Sequence, residues 1–373
     1  MTVKGWCPGA HRPMLSGDGL IVRIRPRMGR LTHDQLLGLC DLSQQFGNGI
    51  IDLTSRANLQ LRGVPDQHHA PLLGALLGLG LLDETPDLEA RRNVTVTPLW
   101  QVGDINTRLH DALCARLPDL PALPAKIGIA IDAGPAPLLT GTSADFRFER
   151  TADGALMLRL DGTSRGHCVA EDDAMDALVA MATWFVATGG AHAKRVARHV
   201  ARTAPEASWT ATLPAAPGPR LSPGTHSLGP VVGAAFGSLD AKALASLFTA
   251  STATALRVTP WRLLLLENGS TLPDTAGFVA TPDDPLLSAS ACPGAPACAE
   301  ATVATRALAR KLAPYRRDGL HVSGCAKGCA YPRAARTTLV GRDGAFDLVE
   351  RGAPWDEPRQ RGLSPDDVMK MVT

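Results

Sequence analysis

One run of local signals occurs twice in this chain, and that repeat constrains the fold more than any other feature. Residues 20–26, LIVRIRP, alternate: Leu20, Val22 and Ile24 share one face, and Arg23 and Arg25 share the other. This predicts a half-buried strand with a basic outer face. Thr32 is a suitable N-cap, and Leu36, Leu39, Cys40 and Phe46 recur at helical spacing until Gly47-Asn48-Gly49. Two short strands follow, at Ile50–Leu53 and Leu59–Leu61. The order returns at Val231–Phe236, with Ser238 capping a helix that carries Leu244, Leu247 and Phe248. Thr254–Thr259 and Leu263–Leu266 repeat the strand pair. Any α+β protein carries weak echoes of itself, but four elements recurring in order favour duplication, with the copies packed about a pseudo-twofold axis.

Each copy is followed by a further similar block. LPAKIGIAID and a hairpin turning at Asp153-Gly154 follow the first; LHVSG and a hairpin turning at Asp343-Gly344 follow the second. Helices are expected over roughly 104–117, 171–188 and 297–313. Residues 203–230 are rich in Pro and small residues and read as a linker. The expected division is 1–85, 86–202, the linker 203–230, 231–282 and 283–373.

At 373 residues and 45% hydrophobic content, the chain has enough apolar mass for several cores. The charges, 38 Lys+Arg against 36 Asp+Glu, nearly cancel to +2 and argue against a nucleic-acid partner. No window approaches the roughly 20 apolar residues of a membrane helix. The opening MTVKGWCPGAHRP has no leader pattern, so a cytoplasmic location is the expectation. Disulfides are then not expected, and clustered cysteines point to metal or redox chemistry. Four of the eight cysteines form the pattern C-x5-C…C-x3-C at Cys292, Cys298, Cys325 and Cys329. Four thiolates suit a [4Fe–4S] cluster or structural zinc, but zinc knuckles are usually tighter than x5. Gly-, Pro- and Ala-rich loops allow close backbone approach to a bulky inorganic core. The helix expected from 297 would place its positive end at Cys298, and Lys327 adds a charge between the last two ligands.

This spacing, carried on the second copy of a duplicated unit, resembles the siroheme-dependent sulfite and nitrite reductases. The resemblance spans nearly the whole chain. It implies an α+β fold with two ferredoxin-like units, near 15–85 and 225–280, and two reductase-like half-domains, near 90–200 and 283–373. It also implies that Cys292, Cys298, Cys325 and Cys329 ligate a [4Fe–4S] cluster. Leu53-Thr-Ser-Arg56, Arg92-Asn93-Val94 and Leu123-Pro-Ala-Lys126-Ile-Gly128 resemble three motifs with which those reductases hold carboxylates and a small anion. The third motif usually carries two lysines, whereas here Lys126 is followed by Gly128. The missing cation tells against sulfite or nitrite reduction.

The segment from Lys4 to Leu20, KGWCPGAHRPMLSGDGL, resembles the start of the precorrin-3B synthases. That resemblance implies oxygen-dependent hydroxylation of precorrin-3A at C20 with γ-lactone closure, in aerobic cobalamin biosynthesis. It implies a mononuclear non-haem iron beside the cluster, with precorrin-3A and O2 as substrates. A tetrapyrrole edged with carboxylates needs guanidiniums. The candidates are Arg23, Arg25, Arg56 and Arg92 with Lys126, and additionally Arg12; Trp6 and His11 are candidates for the pocket wall. His11, His167 and His321 are the candidate iron ligands, though no H-x-D or H-x-E pairing supports them. Gly74, Gly78 and Gly80 lack the strand–turn–helix context of a dinucleotide site, so a separate reductase or ferredoxin is expected to deliver electrons. The alternatives are a siroheme-dependent sulfite or nitrite reductase and a non-catalytic, zinc-stapled tetrapyrrole binder. Duplicated halves already pack on each other, so a monomer is expected.

Overall fold

The computed structural model describes residues 8–270, 272 and 277–371. Four sheets carry the architecture. In the first, the strands run in the order Met14–Ser16, Gly19–Ile24, Leu59–Val64, Ile50–Leu53 and Ser238–Asp240. In the second the order is Gly224–His226, Gly229–Ala234, Leu263–Glu267, Ala255–Val258 and Arg30–Thr32, with Phe278–Val279 also on Gly229–Ala234. The last strand of each sheet therefore comes from the other unit. Leu31 pairs with Leu256 where Arg30 meets Arg257, and Leu239 pairs with Ile51 where Ser238 meets Asp52. The exchange is reciprocal, and it merges both units into one core that includes Leu31, Leu36, Ile51, Leu239, Leu244, Phe248 and Leu256. Each fully buried leucine there contributes about 1.5–3 kcal/mol, so neither unit is complete without the other's strand.

The local causes repeat as well. Before each exchanged strand the chain takes two consecutive left-handed residues, Met28-Gly29 (φ 54 and 68) and Phe236-Gly237 (φ 61 and 71). Left-handed backbone at a non-glycine residue costs about 1–2 kcal/mol, and both units carry it at matching places. Thr32 caps the helix His33–Phe46 through a capping box with Gln35. In the second copy the cap of Ala241–Ala250 is Asp240, which accepts from Ala243 N–H; Ser238, expected in that role, lies in the exchanged strand.

The other two sheets share one plan. The first runs Val94–Val96, Ile129–Ile131, Phe146–Arg150, Leu156–Leu160, His167–Cys168. The second runs Ser290–Ala291, Leu320–Ser323, Ala335–Arg342, Ala345–Gly352, Gln360–Leu363. In each, two parallel pairings are followed by two antiparallel ones. Both hairpins turn where expected, with Gly154 at φ 89 and Asp343-Gly344 at φ 50 and 82. The helices Ile105–Arg116 and Ala174–Ala187 match expectation, but the one expected over 297–313 spans only Arg306–Leu312. Residues 203–230 are more than a linker. Thr212 and Pro214 bridge to Gly166 and Thr151 of the first half-domain, and Gly224–His226 begins the second ferredoxin-like sheet. No helix among the described residues is long and apolar enough to cross a membrane.

Candidate functional site

Cys292 follows Ser290–Ala291, and Cys325 comes two residues after Leu320–Ser323. These strands are parallel neighbours, so both cysteine loops leave the same carboxyl edge, where open sheets of this kind bind ligands. The loops are stitched together by main chain. Gly324 N–H points at Cys292 Sγ (3.1 Å), Thr302 N–H donates to the Gly324 carbonyl (3.1 Å), and Cys298 N–H donates to the Gly294 carbonyl (2.9 Å). Side chains close the remaining carbonyls: Thr305 Oγ1 donates to Cys292 O (2.5 Å) and Ser323 Oγ to Cys325 O (2.7 Å). Glycine is required where these loops cross. A Cβ on Gly324 would lie 2.6 Å from the Ala301 side chain, and Gly294 takes φ 71 against Thr305.

All four thiols are free and share one electrostatic neighbourhood. Desolvation pushes the Cys325 and Cys329 thiols above their ordinary value, and the other cysteines of the set push the same way. Lys327 opposes this at Cys329. Four free thiols on two neighbouring loops are a donor set for a cationic core that displaces their protons. Their number and their two glycine-bearing loops fit a [4Fe–4S] cluster with one thiolate per corner. The expected helix dipole at Cys298 is absent, because that residue lies in a turn eight residues before the helix at Arg306 begins.

The basic candidates divide into two groups. Arg25 Nη1 meets Glu89 Oε1 at 2.6 Å, and Arg92 meets Asp83 Oδ1 at 2.8 Å and Oδ2 at 2.9 Å. Arg92 also donates to the Arg25 carbonyl (2.8 Å). Glu89 accepts in addition from Ala10 and His11 N–H, and His11 Nε2 contacts the Asp83 carbonyl (2.8 Å). Burial lowers the Arg25 pKa, and Glu89 opposes that shift. Arg25, Arg92 and His11 thus clamp the N-terminal segment around two internal carboxylates. Trp6, offered as a pocket wall, lies outside the described residues.

The second group meets at Ser143. Arg56 Nη2 donates to the Lys126 carbonyl (2.8 Å) and approaches Ser143 Oγ (3.4 Å). Arg195 reaches the same hydroxyl with both terminal nitrogens (3.2 Å each), while its Nε holds Asp145 (2.9 Å). Lys126 is exposed on the adjoining loop, and Arg23 is half-buried on its strand opposite Gln60. Arg195 and Ser143 carry no sequence motif. Gly128 sits where a Cβ would lie 3.2 Å from Asn93 Nδ2, so this turn has little room for the second lysine of the reductase motif.

Comparison with known proteins fits this geometry. Residues 12–79 match the nitrite/sulfite reductase ferredoxin-like half domain. A precorrin-3B synthase from Sinorhizobium sp. is 32% identical over 389 aligned residues, covering 94% of this chain and 83% of that protein. The chain belongs to the precorrin-3B synthase family. A ferredoxin–nitrite reductase from Synechococcus elongatus is 31% identical over 141 residues, 35% of this chain and 27% of that protein. The solved structure of the Mycobacterium tuberculosis NirA protein superposes with a TM-score of 0.63 at 20% identity, covering 94% of this chain and 79% of that one. The fold is therefore that of the nitrite and sulfite reductases, and kinship along 94% of the chain is with a precorrin-3B synthase.

For this family member the histidines remain separate. His11 is held at Asp83, His167 Nδ1 contacts the Ser208 carbonyl (3.2 Å), and His321 is buried with both ring nitrogens unpartnered. Burial pulls the His321 pKa down to about 4. Among the described residues no three His, Cys, Asp or Glu side chains gather around a point suited to a single metal ion. The three candidates for a mononuclear iron, His11, His167 and His321, are therefore not brought together.

Proposed function

We propose that this chain converts precorrin-3A to precorrin-3B, hydroxylating C20 with O2 and closing a γ-lactone, and that a separate reductase or ferredoxin supplies the electrons. The observation that carries the reading is kinship to a precorrin-3B synthase along 94% of the chain. The reductase-like site that accompanies it has Gly128 in place of the second lysine. Cys292, Cys298, Cys325 and Cys329 hold the [4Fe–4S] cluster, which supplies single electrons when bound. Arg56, Arg195 and Lys126 bind the carboxylate edge of the tetrapyrrole. The terminal nitrogens of Arg195 can exchange the Ser143 hydroxyl for a substrate carboxylate while its Nε stays on Asp145, and Arg56 can do the same with its long 3.4 Å contact to Ser143. Arg23 lies on the strand leading to them. Arg25 and Arg92 act indirectly, by fixing the N-terminal segment. The protein works as a monomer in the cytoplasm.

Anaerobic purification tests the reading. About four iron and four acid-labile sulfides per chain are expected, with no siroheme absorption. Precorrin-3A and 18O2 with a reductant are expected to give a product carrying one labelled oxygen. Siroheme bands, or one zinc per chain without iron, would overturn the proposal.

A further inference from the structure

The first ferredoxin-like unit reaches across the molecule to the loop that carries Cys298. Met14–Ser16 and Gly19–Ile24 form a hairpin in which Ser16 pairs with Gly19, leaving Gly17-Asp18 at the tip. Ser16 Oγ donates to the Ala297 carbonyl (2.8 Å). Arg62, on the Leu59–Val64 strand, donates to the same carbonyl through Nη2 (3.0 Å). Gly17 lies so close to this loop that a Cβ there would meet Pro296 O at 2.7 Å, Ala299 N at 2.8 Å and Cys298 C at 3.0 Å. All three are main-chain atoms, so nothing flexible can yield.

Arg62 is itself rigidly held. Its side chain is 5% exposed, and it pairs with Asp18 at the hairpin tip (3.0 Å) and with Asp52 (3.3 Å). Asp52 also pairs with Arg306, at 3.0 Å, in the first turn of the helix that follows the cluster loop. Hairpin tip, sheet and helix are thus joined by one partly buried chain of ion pairs, which reaches the cysteine loop through the Ala297 carbonyl. Within the loop, Cys298 N–H is bound to Gly294 O, and Cys298 O accepts from Ala301 N–H. A shift of Ala297 therefore moves Cys298 directly.

We propose that Arg62, with Ser16 and Gly17, is a positioning latch for Cys298: the N-terminal unit fixes where this thiol stands and so whether the four cysteines present a cluster-ready geometry. The proposal rests on the reading that these cysteines hold a [4Fe–4S] cluster, and two arms of one experiment separate the two ideas. Gly17→Ala, Ser16→Ala and Arg62→Lys are compared with Gly74→Ala, a control whose new methyl meets no atom within 4 Å. The first arm uses the metal-free chain and measures iodoacetamide alkylation of Cys298 by peptide mass spectrometry, with exposed Cys168 as internal standard. Alkylation of Cys298 is expected to rise several-fold in Gly17→Ala and Arg62→Lys and by less in Ser16→Ala, while circular dichroism is unchanged. The second arm reconstitutes each chain with iron and sulfide. Cluster content is expected to fall by half or more in Gly17→Ala, and the midpoint potential and EPR line shape to shift in Ser16→Ala. Wild-type values in both arms for all three variants would overturn the latch. A wild-type chain that takes up no iron or sulfide would overturn the cluster reading instead, and the alkylation arm would still decide the latch.

Discussion

The two places where a half-domain docks on the paired ferredoxin-like sheets use one device with opposite fittings. In the reciprocal strand exchange, Asp52 and Arg257 occupy matching positions, opposite Ser238 and Arg30. Arg257 is buried, pairs with Glu267 (2.9 Å), and donates to the carbonyls of Pro98 (2.9 Å) and Trp100 (2.6 Å). Its guanidinium also lies 4.0 Å over the Trp100 ring. At the other junction Asp52 pairs with Arg62 and Arg306, and Arg62 takes the Ala297 carbonyl. Each junction thus sets a buried guanidinium on main-chain carbonyls of the loop that leaves the first strand of a half-domain. In one copy that loop ends on a tryptophan packed under the cation; in the other it carries a cysteine. The two junctions share one frame, and Cys298 stands on a loop held much as the tryptophan loop is.

The tryptophan junction is a purely structural counterpart of the latch, and breaking it is expected to have the largest effect on stability. Arg257→Ala leaves two carbonyls unpaired and strips Glu267 of one of its two arginines, Arg30 being the other. Removing one partner of a buried ion pair costs about 3–5 kcal/mol, and loss of the contact with Trp100 adds to it. Urea denaturation is expected to show that loss, while iron per folded chain stays at the wild-type value. A loss below about 1 kcal/mol would mean that the two junctions are not equivalent devices.

Much of this frame could be read in the sequence, for physical reasons that also explain the misses. Strands of alternating residues and hairpins with Asp-Gly turns are dictated locally, and Thr32, the hairpin turns and the paired cysteine loops stand where the pattern put them. Residues 297–305, Ala-Cys-Ala-Glu-Ala-Thr-Val-Ala-Thr, have helix-forming composition but no helix. Main-chain bonds to Gly294 and Gly324 bend them between the two cysteine loops, and the Thr305 hydroxyl, which a helix would want as its cap, goes to the Cys292 carbonyl. Strand exchange was hidden because Arg30–Thr32 and Ser238–Asp240 are three residues each, too short for periodicity to speak. The charges of Arg25 and Arg92 were plain, but their neutralising acids Glu89 and Asp83 were not, since a carboxylate's partner is a matter of tertiary placement.

With the half-domain sheets aligned on their parallel strands, the row Thr95–Ala130–Arg147 of the first matches Ser290–His321–Thr338 of the second. Arg147 is buried but fully engaged, by Asp161 (3.1 Å) and the Leu139 carbonyl (3.1 Å). His321 is buried with no partner for either nitrogen, which is why its pKa falls to about 4. A folded-state value below the ordinary 6.5 means that the unfolded chain takes a proton the folded chain refuses. Stability is therefore lost as pH falls from about 6.5 toward 4, by about 2–3 kcal/mol at pH 4.5. His321→Leu is expected to match or exceed wild type at pH 7.5 and to remove most of that acid loss, read by urea unfolding of the metal-free chain at both pH values. An unchanged acid slope would show that His321 is not the odd residue of its row.

The smallest expected effect lies at the carboxyl edge itself. Where Cys292 leaves the second half-domain, Thr97 leaves the first, and Asp132 directly follows the adjoining strand Ile129–Ile131. Asp132 Oδ2 accepts from the N–H groups of Leu138 (2.6 Å) and Leu139 (2.5 Å), and the Thr97 hydroxyl supports it. Burial nevertheless raises its pKa to about 6, with Glu149 adding a little. A folded value above the ordinary 3.8 means that stability is greatest below pH 3.8 and is lost as pH rises to about 6. The shift alone corresponds to about 3 kcal/mol. Asp132→Asn removes that loss but accepts less strongly from the two N–H groups, so a net gain of about 1 kcal/mol is expected at pH 7. The gain should vanish near pH 4, where the carboxyl of the folded wild type is already neutral. Denaturation midpoints across that range check it. A gain at pH 7 would show that the first half-domain closes its strand ends with an acid held at a cost, over its own loop. The second half-domain instead leaves that edge to two cysteine loops and holds them from the neighbouring unit.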